Sequence, residues 1–202
     1  FPDRFANGDP TNDPPGAAPW GEKPTVHKFQ GGDLRGVIEK LDYLADLGIT
    51  AIYFTPIFEA ASTHRYDTID YFHIDRKLGT LEDFKELLQK AHEHGIKVVL
   101  DGVFNHCGRG FFAFHDLLEL EEHSGYREWF HVRRFPLNAY TPGKAVNYEG
   151  WWGYKGLPKF NTDNPAVRKM ILDVVKYWID LGIDGWRLDV PNEIDDDAFW
   201  KE

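Results

Sequence analysis

The sequence predicts an α/β fold built on a parallel sheet. Segments of helical period alternate with short β-branched and aromatic runs. Each helix closes on a glycine one or two residues before the next run, a short junction of the kind α/β units use. The runs are apolar on both faces, as strands covered by helices are. The last of them, Gly185-Trp186-Arg187-Leu188-Asp189, ends in a guanidinium and a carboxylate two residues apart, on the same face of a strand. A parallel barrel presents catalytic groups at the carboxyl ends of its strands. The thirteen residues after Asp189 cannot supply the rest of a barrel, so the chain reads as part of a longer one.

The elements follow in order. Residues 7–24 are rich in Asn, Asp, Gly and Pro and read as an irregular loop. Residues 33–47 carry Leu34, Val37, Ile38, Leu41, Leu44 and Ala45 at helical spacing, with Gly48 as the stop. Residues 50–57 read as a strand closed by Pro56. Residues 80–94 form a second helix, with Thr80 as cap, Glu82 and Asp83 in its first turn and Gly95 at its end. Residues 97–104 form a second strand, apolar apart from Asp101. A third helix spans 164–181, with Asn164 as N-cap, Pro165 at the first helical position and Gly182 beyond its end. Residues 183–190 are the third strand. Between Asn105 and Asn164 lie almost sixty residues dense in aromatics. A structureless loop of that length is improbable, so an inserted subdomain is expected there.

Composition narrows the function. A net charge of −10 argues against nucleic-acid binding. No apolar run approaches the length of a membrane span. The single cysteine, Cys107, excludes an intrachain disulfide. The N-terminal residues lack the basic start and apolar stretch of a signal peptide. Aromatic residues make up 15% of the chain. They read either as a large core or as sugar-binding surfaces, since pyranose faces present C–H groups that pack on rings.

Asp189 and Arg187 alone read either as a structural ion pair at a strand end or as a nucleophile kept ionised by a guanidinium. Asp101 interrupts an apolar strand, and a buried carboxylate needs partners. Asn7, Asp9, Asn12 and Asp13, with Gly31 and Asp33 before the first helix, offer hard oxygen ligands of the kind calcium takes. They read equally as a loop of Asx turns without an ion.

Three runs carry a specific resemblance. Asp101-Gly102-Val103-Phe104-Asn105-His106, Leu157-Pro158-Lys159-Phe160-Asn161 and Gly185-Trp186-Arg187-Leu188-Asp189-Val190-Pro191-Asn192-Glu193 resemble signature regions of the α-amylase family, glycoside hydrolase family 13, in order and spacing. The Leu-Pro-Lys run and the Pro-Asn-Glu ending are similar to the neopullulanase, cyclomaltodextrinase and maltogenic amylase group. The resemblance implies a (β/α)8 TIM barrel of which about the first four βα units are present, with Phe1 at the end of the first strand. It implies residues 1–106 as barrel units one to three, 107–161 as the inserted domain B after the third strand, and 162–202 as the third helix, fourth strand and start of the next helix.

The resemblance also implies roles. Asp189 would be the nucleophile of a retaining α-glucan hydrolase that forms a covalent glycosyl-Asp intermediate, with Arg187 beside it. Asp101 would lie beneath the site and orient Arg187. His106, Tyr66 and Asp67 would contact the sugar at the point of cleavage, and Asn192 and Glu193 the leaving-group side. Trp151 and Trp152 would line the substrate groove or pack the core of domain B. The group binds structural calcium with a pattern similar to Asn7, Asp9, Asn12, Asp13, Gly31 and Asp33. The general-acid Glu and a second Asp would come from the fifth and seventh strands, so this chain would be inactive alone. Substrates would be cyclodextrins, pullulan or maltodextrins. The parent would be cytoplasmic and possibly a homodimer. The alternative is a non-catalytic α-glucan-binding relative.

Overall fold

A computed structural model describes residues 1–202. The helix expected over 33–47 forms in two pieces, α1 (Leu34–Glu39) and α2 (Leu41–Asp46). The Lys40 amide closes on Val37 at 3.0 Å, a three-residue turn that breaks the α-helical ladder. The strand expected over 50–57 shrinks to β1 (Ala51–Tyr53). One further ladder bond follows, Phe54 N to Val99 O at 3.0 Å, and the chain then leaves the sheet.

Two strands come next that the sequence reading lacks: β2 (Phe58–Ala60) and β3 (Thr68–Ile74), paired antiparallel with irregular register. The loop between them holds His64, Tyr66 and Asp67. A buried ion pair anchors it. Arg65 Nε lies 2.7 Å from Asp75 Oδ2, with both side chains at most 1% exposed, and Lys77 Nζ lies 2.7 Å from the other Asp75 oxygen. Arg65 Nη1 also donates to Thr63 O at 3.0 Å.

The second half follows the sequence closely. Thr80 and Asp83 form a capping box at the start of α3 (Leu81–Glu93). The strand β4 (Lys97–Gly102) follows, then α4 (Phe112–Leu120) inside the 107–161 stretch. Asn164 accepts from Ala166 N at the head of α5 (Pro165–Leu181), and Gly182 ends it at φ 107°. The chain closes with β5 (Gly185–Leu188) and the short α6 (Asp197–Lys201).

The sheet has three parallel strands in the order β1-β4-β5. The family resemblance implies about four units. The unit preceding β1 supplies α1 and α2 but no strand, because Phe1 leads directly into a 3₁₀ turn at Pro2–Arg4. Burial on both faces holds for β4 alone. Tyr53 on β1 is 43% exposed and Leu188 on β5 is 36% exposed, since β1 and β5 are the edges of this sheet. The 107–161 stretch returns to the sheet where His106 bridges Lys159, and its aromatics join the main core. Phe111 and Phe160 both meet the Tyr71 ring, at 5.8 and 6.3 Å between centroids.

Removing one partner of a buried ion pair leaves an uncompensated charge. Arg65→Met should therefore lower unfolding free energy by about 3–5 kcal/mol, read by urea denaturation. A loss under about 1 kcal/mol would show that Lys77 alone satisfies Asp75.

Candidate active site

Parallel register places Asp101 of β4 directly opposite Arg187 of β5. Arg187 Nη1 donates to both Asp101 oxygens, at 3.0 and 3.1 Å, and to Asp189 Oδ1 at 2.7 Å. Asp101 also accepts from the Tyr66 hydroxyl at 2.9 Å and from the Tyr53 hydroxyl. Burial pushes the Asp101 carboxyl above its usual range, and the bonds from Tyr53, Arg187 and Tyr66 oppose that shift. The Arg187 guanidinium is partly desolvated, which lowers its pKa, but its bonds to Asp101 and Asp189 outweigh that and raise it.

A cavity of about 460 Å³ opens over this array. It is lined by His64, Tyr66, His106, Trp151, Tyr154, Leu157, Asp189 and Val190. Of the residues singled out in the sequence, Asp189, His106, Tyr66 and Trp151 meet here. Arg187 stands beside Asp189, and Asp101, 1% exposed, touches Arg187 and the two tyrosines rather than the opening. Asp101 therefore reaches the cavity only through Arg187 and the two tyrosines.

The other candidates sit elsewhere. Asp67 faces an adjoining cavity, with its carboxylate held by the Ser62 hydroxyl. Trp151 lines the main cavity. Trp152 stacks on it at 5.1 Å and 19°, is 68% exposed, and donates Nε1 to Glu193 Oε1 at 3.3 Å. It lies at the outer edge of the cavity rather than in its lining. Glu193 also receives Lys159 Nζ on its carbonyl at 3.2 Å, so it ties the turn after β5 to the inserted stretch. Asn192 is exposed on that turn and does not reach the cavity.

Several site residues escaped sequence reading. Tyr53 lies in an apolar run and looks like core; in the fold its ring faces the Arg187 guanidinium at 5.7 Å and its hydroxyl caps Asp101. His64 and Tyr154 come from loops whose approach depends on tertiary packing, and Leu157, though part of the Leu-Pro-Lys run, carried no role there. Val190 lies in the last signature run but carried no role there, yet it sits at φ 40°, ψ 51°, a left-handed conformation costly for a β-branched residue. Arg65 and Trp152, beside the same cavity wall, also have positive φ. Strain of this kind persists where surrounding structure over-determines it and clusters at functional sites.

His106 is 2% exposed and stacks on Trp151 at 5.7 Å. Its Nδ1 meets the Asn105 side-chain amide at 3.1 Å, and its Nε2 is buried without a partner. Burial lowers its pKa to about 4. The imidazole is therefore neutral at neutral pH.

The Asn/Asp cluster also assembles. The Asp33 carboxylate accepts from Gly8 N, Asp9 N, Asn12 Nδ2 and Gly36 N at 2.6–3.1 Å and caps α1. Asn7 donates to both Asp13 oxygens, at 2.9 and 3.1 Å. Asn7 Oδ1 and Asn12 Oδ1 are buried with no partner. Gly31, at φ 83°, presses so close that a Cβ there would stand 2.4 Å from Asp13 Oδ1. No three His, Cys, Asp or Glu side chains converge anywhere in the chain. The donors here are mixed: two orphaned amide oxygens and the Asp13 carboxylate, which only Asn7 engages. That set fits a hard cation, whereas Asp33 is already saturated by protein donors and shapes the loop.

His106 generates a pH dependence. An unfolded histidine binds its proton near pH 6.5 and the folded one near 4. Its contribution is complete above about pH 6.5 and is lost as pH falls toward 4, by up to about 3 kcal/mol. His106→Gln should flatten the fall in unfolding free energy between pH 7 and 4.5. Parallel curves for the two proteins would show that other groups carry that limb.

The sequence matches the family profile "Alpha amylase, catalytic domain" over residues 1–202. It is 54% identical to a cyclomaltodextrinase of Geobacillus thermopakistaniensis and 50% identical to neopullulanase 2 of Thermoactinomyces vulgaris, each across 100% of this chain and 34% of the relative. The ligand-free cyclic alpha-maltosyl-(1→6)-maltose hydrolase of Arthrobacter globiformis superposes with a TM-score of 0.95 at 52% identity, over 99% of this chain and 45% of that one. The chain thus spans about a third of the length of the curated relatives it matches. With the Asp101–Arg187–Asp189 array at the ends of parallel strands, these likenesses place the chain in the α-amylase catalytic-domain family.

Proposed function

We propose that the parent protein is a retaining α-glucan hydrolase, cleaving α-1,4 bonds in cyclodextrins, pullulan or maltodextrins. The carrying observation is the asymmetry of Asp189. Oδ1 is held by Arg187 at 2.7 Å, while Oδ2 has no protein partner and the residue lines the cavity. One oxygen fixed and one free is what a nucleophilic carboxylate needs. In this reading Asp189 Oδ2 bonds to the anomeric carbon as the glycosidic C–O bond breaks, and the leaving oxygen takes a proton from an acid outside these residues. Water then attacks the glycosyl-Asp ester and restores the carboxylate. Tyr66 offers a ring face to the sugar. The unpartnered His106 Nε2 hydrogen-bonds a sugar hydroxyl, and Arg187 and Asp101 hold Asp189 in place. The relatives' names, a cyclomaltodextrinase and a neopullulanase, support the substrate class.

Asn7, Asn12, Asp13 and the Gly31 carbonyl are proposed to hold calcium, with Asp9 at the loop edge and Asp33 shaping the loop. The ion would stiffen the chain ahead of α1, with no part in bond cleavage.

In the full-length protein, Asp189→Asn should reduce turnover of maltooligosaccharides roughly a thousandfold or more, over about 4 kcal/mol of barrier. Near-complete activity would remove Asp189 from the nucleophile's role. Calorimetric glucan binding by an unmodified parent that shows no turnover would favour a non-catalytic binding protein instead.

At calcium about a hundredfold above its Kd, the ion stabilises by about 2.7 kcal/mol. Chelation should then lower the melting temperature by roughly 5–10 °C. An unchanged melting curve would leave the cluster as a loop of Asx turns.

A further inference from the structure

Arg187 Nη1 carries two hydrogens and faces three carboxylate oxygens: Asp101 Oδ1 at 3.0 Å, Asp101 Oδ2 at 3.1 Å and Asp189 Oδ1 at 2.7 Å. The two aspartates therefore compete for one nitrogen. The pull of Asp101 depends on how many of its acceptor sites are already filled. Its Oδ2 also takes the Tyr66 hydroxyl, at 2.9 Å, and the Tyr53 hydroxyl. A carboxylate oxygen has two lone pairs, so two phenols saturate it. Without one of them, a vacant lone pair on Asp101 would draw the hydrogen that Arg187 now gives to Asp189.

Register puts Tyr53 within reach of that oxygen. Tyr53 pairs with Val99, and Val99 shares a face of β4 with Asp101, two residues further on. The strand order β1-β4-β5 then sets Tyr53, Asp101 and Arg187 side by side. The Tyr53 ring lies 5.7 Å from the guanidinium carbon of Arg187, inside cation–π range. Its hydroxyl stands 3.5 Å from that of Tyr66. Tyr53 does not line the cavity, so a ligand there feels it only through Asp101, Arg187 and Tyr66. We propose that Tyr53 is a positioning residue for hydrolysis: its hydroxyl fills an acceptor site on Asp101 Oδ2, so that Arg187 divides Nη1 between Asp101 and Asp189 instead of turning wholly to Asp101. The inference rests on the hydrolase reading above.

Burial raises the Asp101 carboxyl, and the Tyr53 bond leads those that oppose it. Without that hydroxyl the ionised form is held less well, so Asp101 takes its proton at higher pH. Tyr53→Phe keeps the ring and removes only the hydroxyl. In the full-length protein it should lower kcat for maltohexaose about tenfold or more and change KM by less than about twofold. The acid limb of the kcat/KM profile should move to higher pH. In a crystal structure of the variant, Arg187 Nη1 should leave Asp189 Oδ1 for Asp101 Oδ2. An unchanged kcat, a loss confined to KM, an unmoved acid limb or an Arg187–Asp189 bond still at 2.7 Å would each overturn the proposal. An unmodified parent without turnover would refute the hydrolase reading instead, and the Arg187–Asp189 separation in the variant would then decide by itself whether Tyr53 sets this array.

Discussion

The site is organised by one buried carboxylate. Asp101 sits on β4, the only strand of the sheet covered on both sides, with its side chain fully buried. An unpaired charge there would cost several kcal/mol. It is answered by three donors from three different places: Tyr53 on β1, Tyr66 on the hairpin loop and Arg187 on β5. Each donor is thereby fixed in space. Arg187, so fixed, can present one Nη1 to Asp189 at 2.7 Å. The parallel register that sets Asp101 opposite Arg187 is thus the constraint from which the position of Asp189 follows.

A second buried pair does for the hairpin loop what Asp101 does for the sheet. Arg65 and Asp75 face each other inside the chain, and Arg65 adopts φ 61° immediately before Tyr66. The side chains of Arg65 and Tyr66 diverge, one into the core and one toward the cavity. The unfavourable backbone at Arg65 is tolerable because the ion pair, the Thr63 carbonyl and the Ser62 hydroxyl all hold that residue. Val190 repeats the arrangement on the other wall. It follows Asp189, whose amide is bonded to Gly102 O at 3.0 Å, so the chain must turn sharply in a left-handed conformation to enter the Pro191–Glu193 turn.

How much of this was legible in the sequence depends on how local each signal is. The capping residues Thr80 and Asn164, and the glycine stop Gly182, act within a few residues of the helix they bound, and they stand where the pattern put them. The parallel sheet was legible because helix and strand alternate. The hairpin β2–β3 was not: its strands are short, its register is irregular, and its burial does not alternate. The break at Lys40 had no local signal, because the apolar stripe runs through it without interruption. Among site residues, Asp189, Arg187, His106 and Tyr66 were legible through motifs. Tyr53 was hidden because its ring looks like core and its partner is 48 residues away. Trp151 and Trp152 are adjacent and chemically alike, and only the left-handed backbone at Trp152 decides that one lines the cavity and the other its outer edge.

The electrostatics of the cavity bear on what can enter it. The chain carries a net charge of −10, yet the cavity lining holds a single acidic residue, Asp189, and no Lys or Arg. Asp101 and Asp189 share one guanidinium, and His106 is kept neutral by burial. An anionic ligand would find no uncommitted positive charge, and a cationic one would have to compete with Arg187. The remaining features are ring faces, one free imidazole nitrogen and one free carboxylate oxygen. Few, fixed polar groups in an aromatic wall recognise a ligand by where its hydroxyls fall rather than by its charge. The lining therefore favours a neutral polyol, which supports the proposed substrate class.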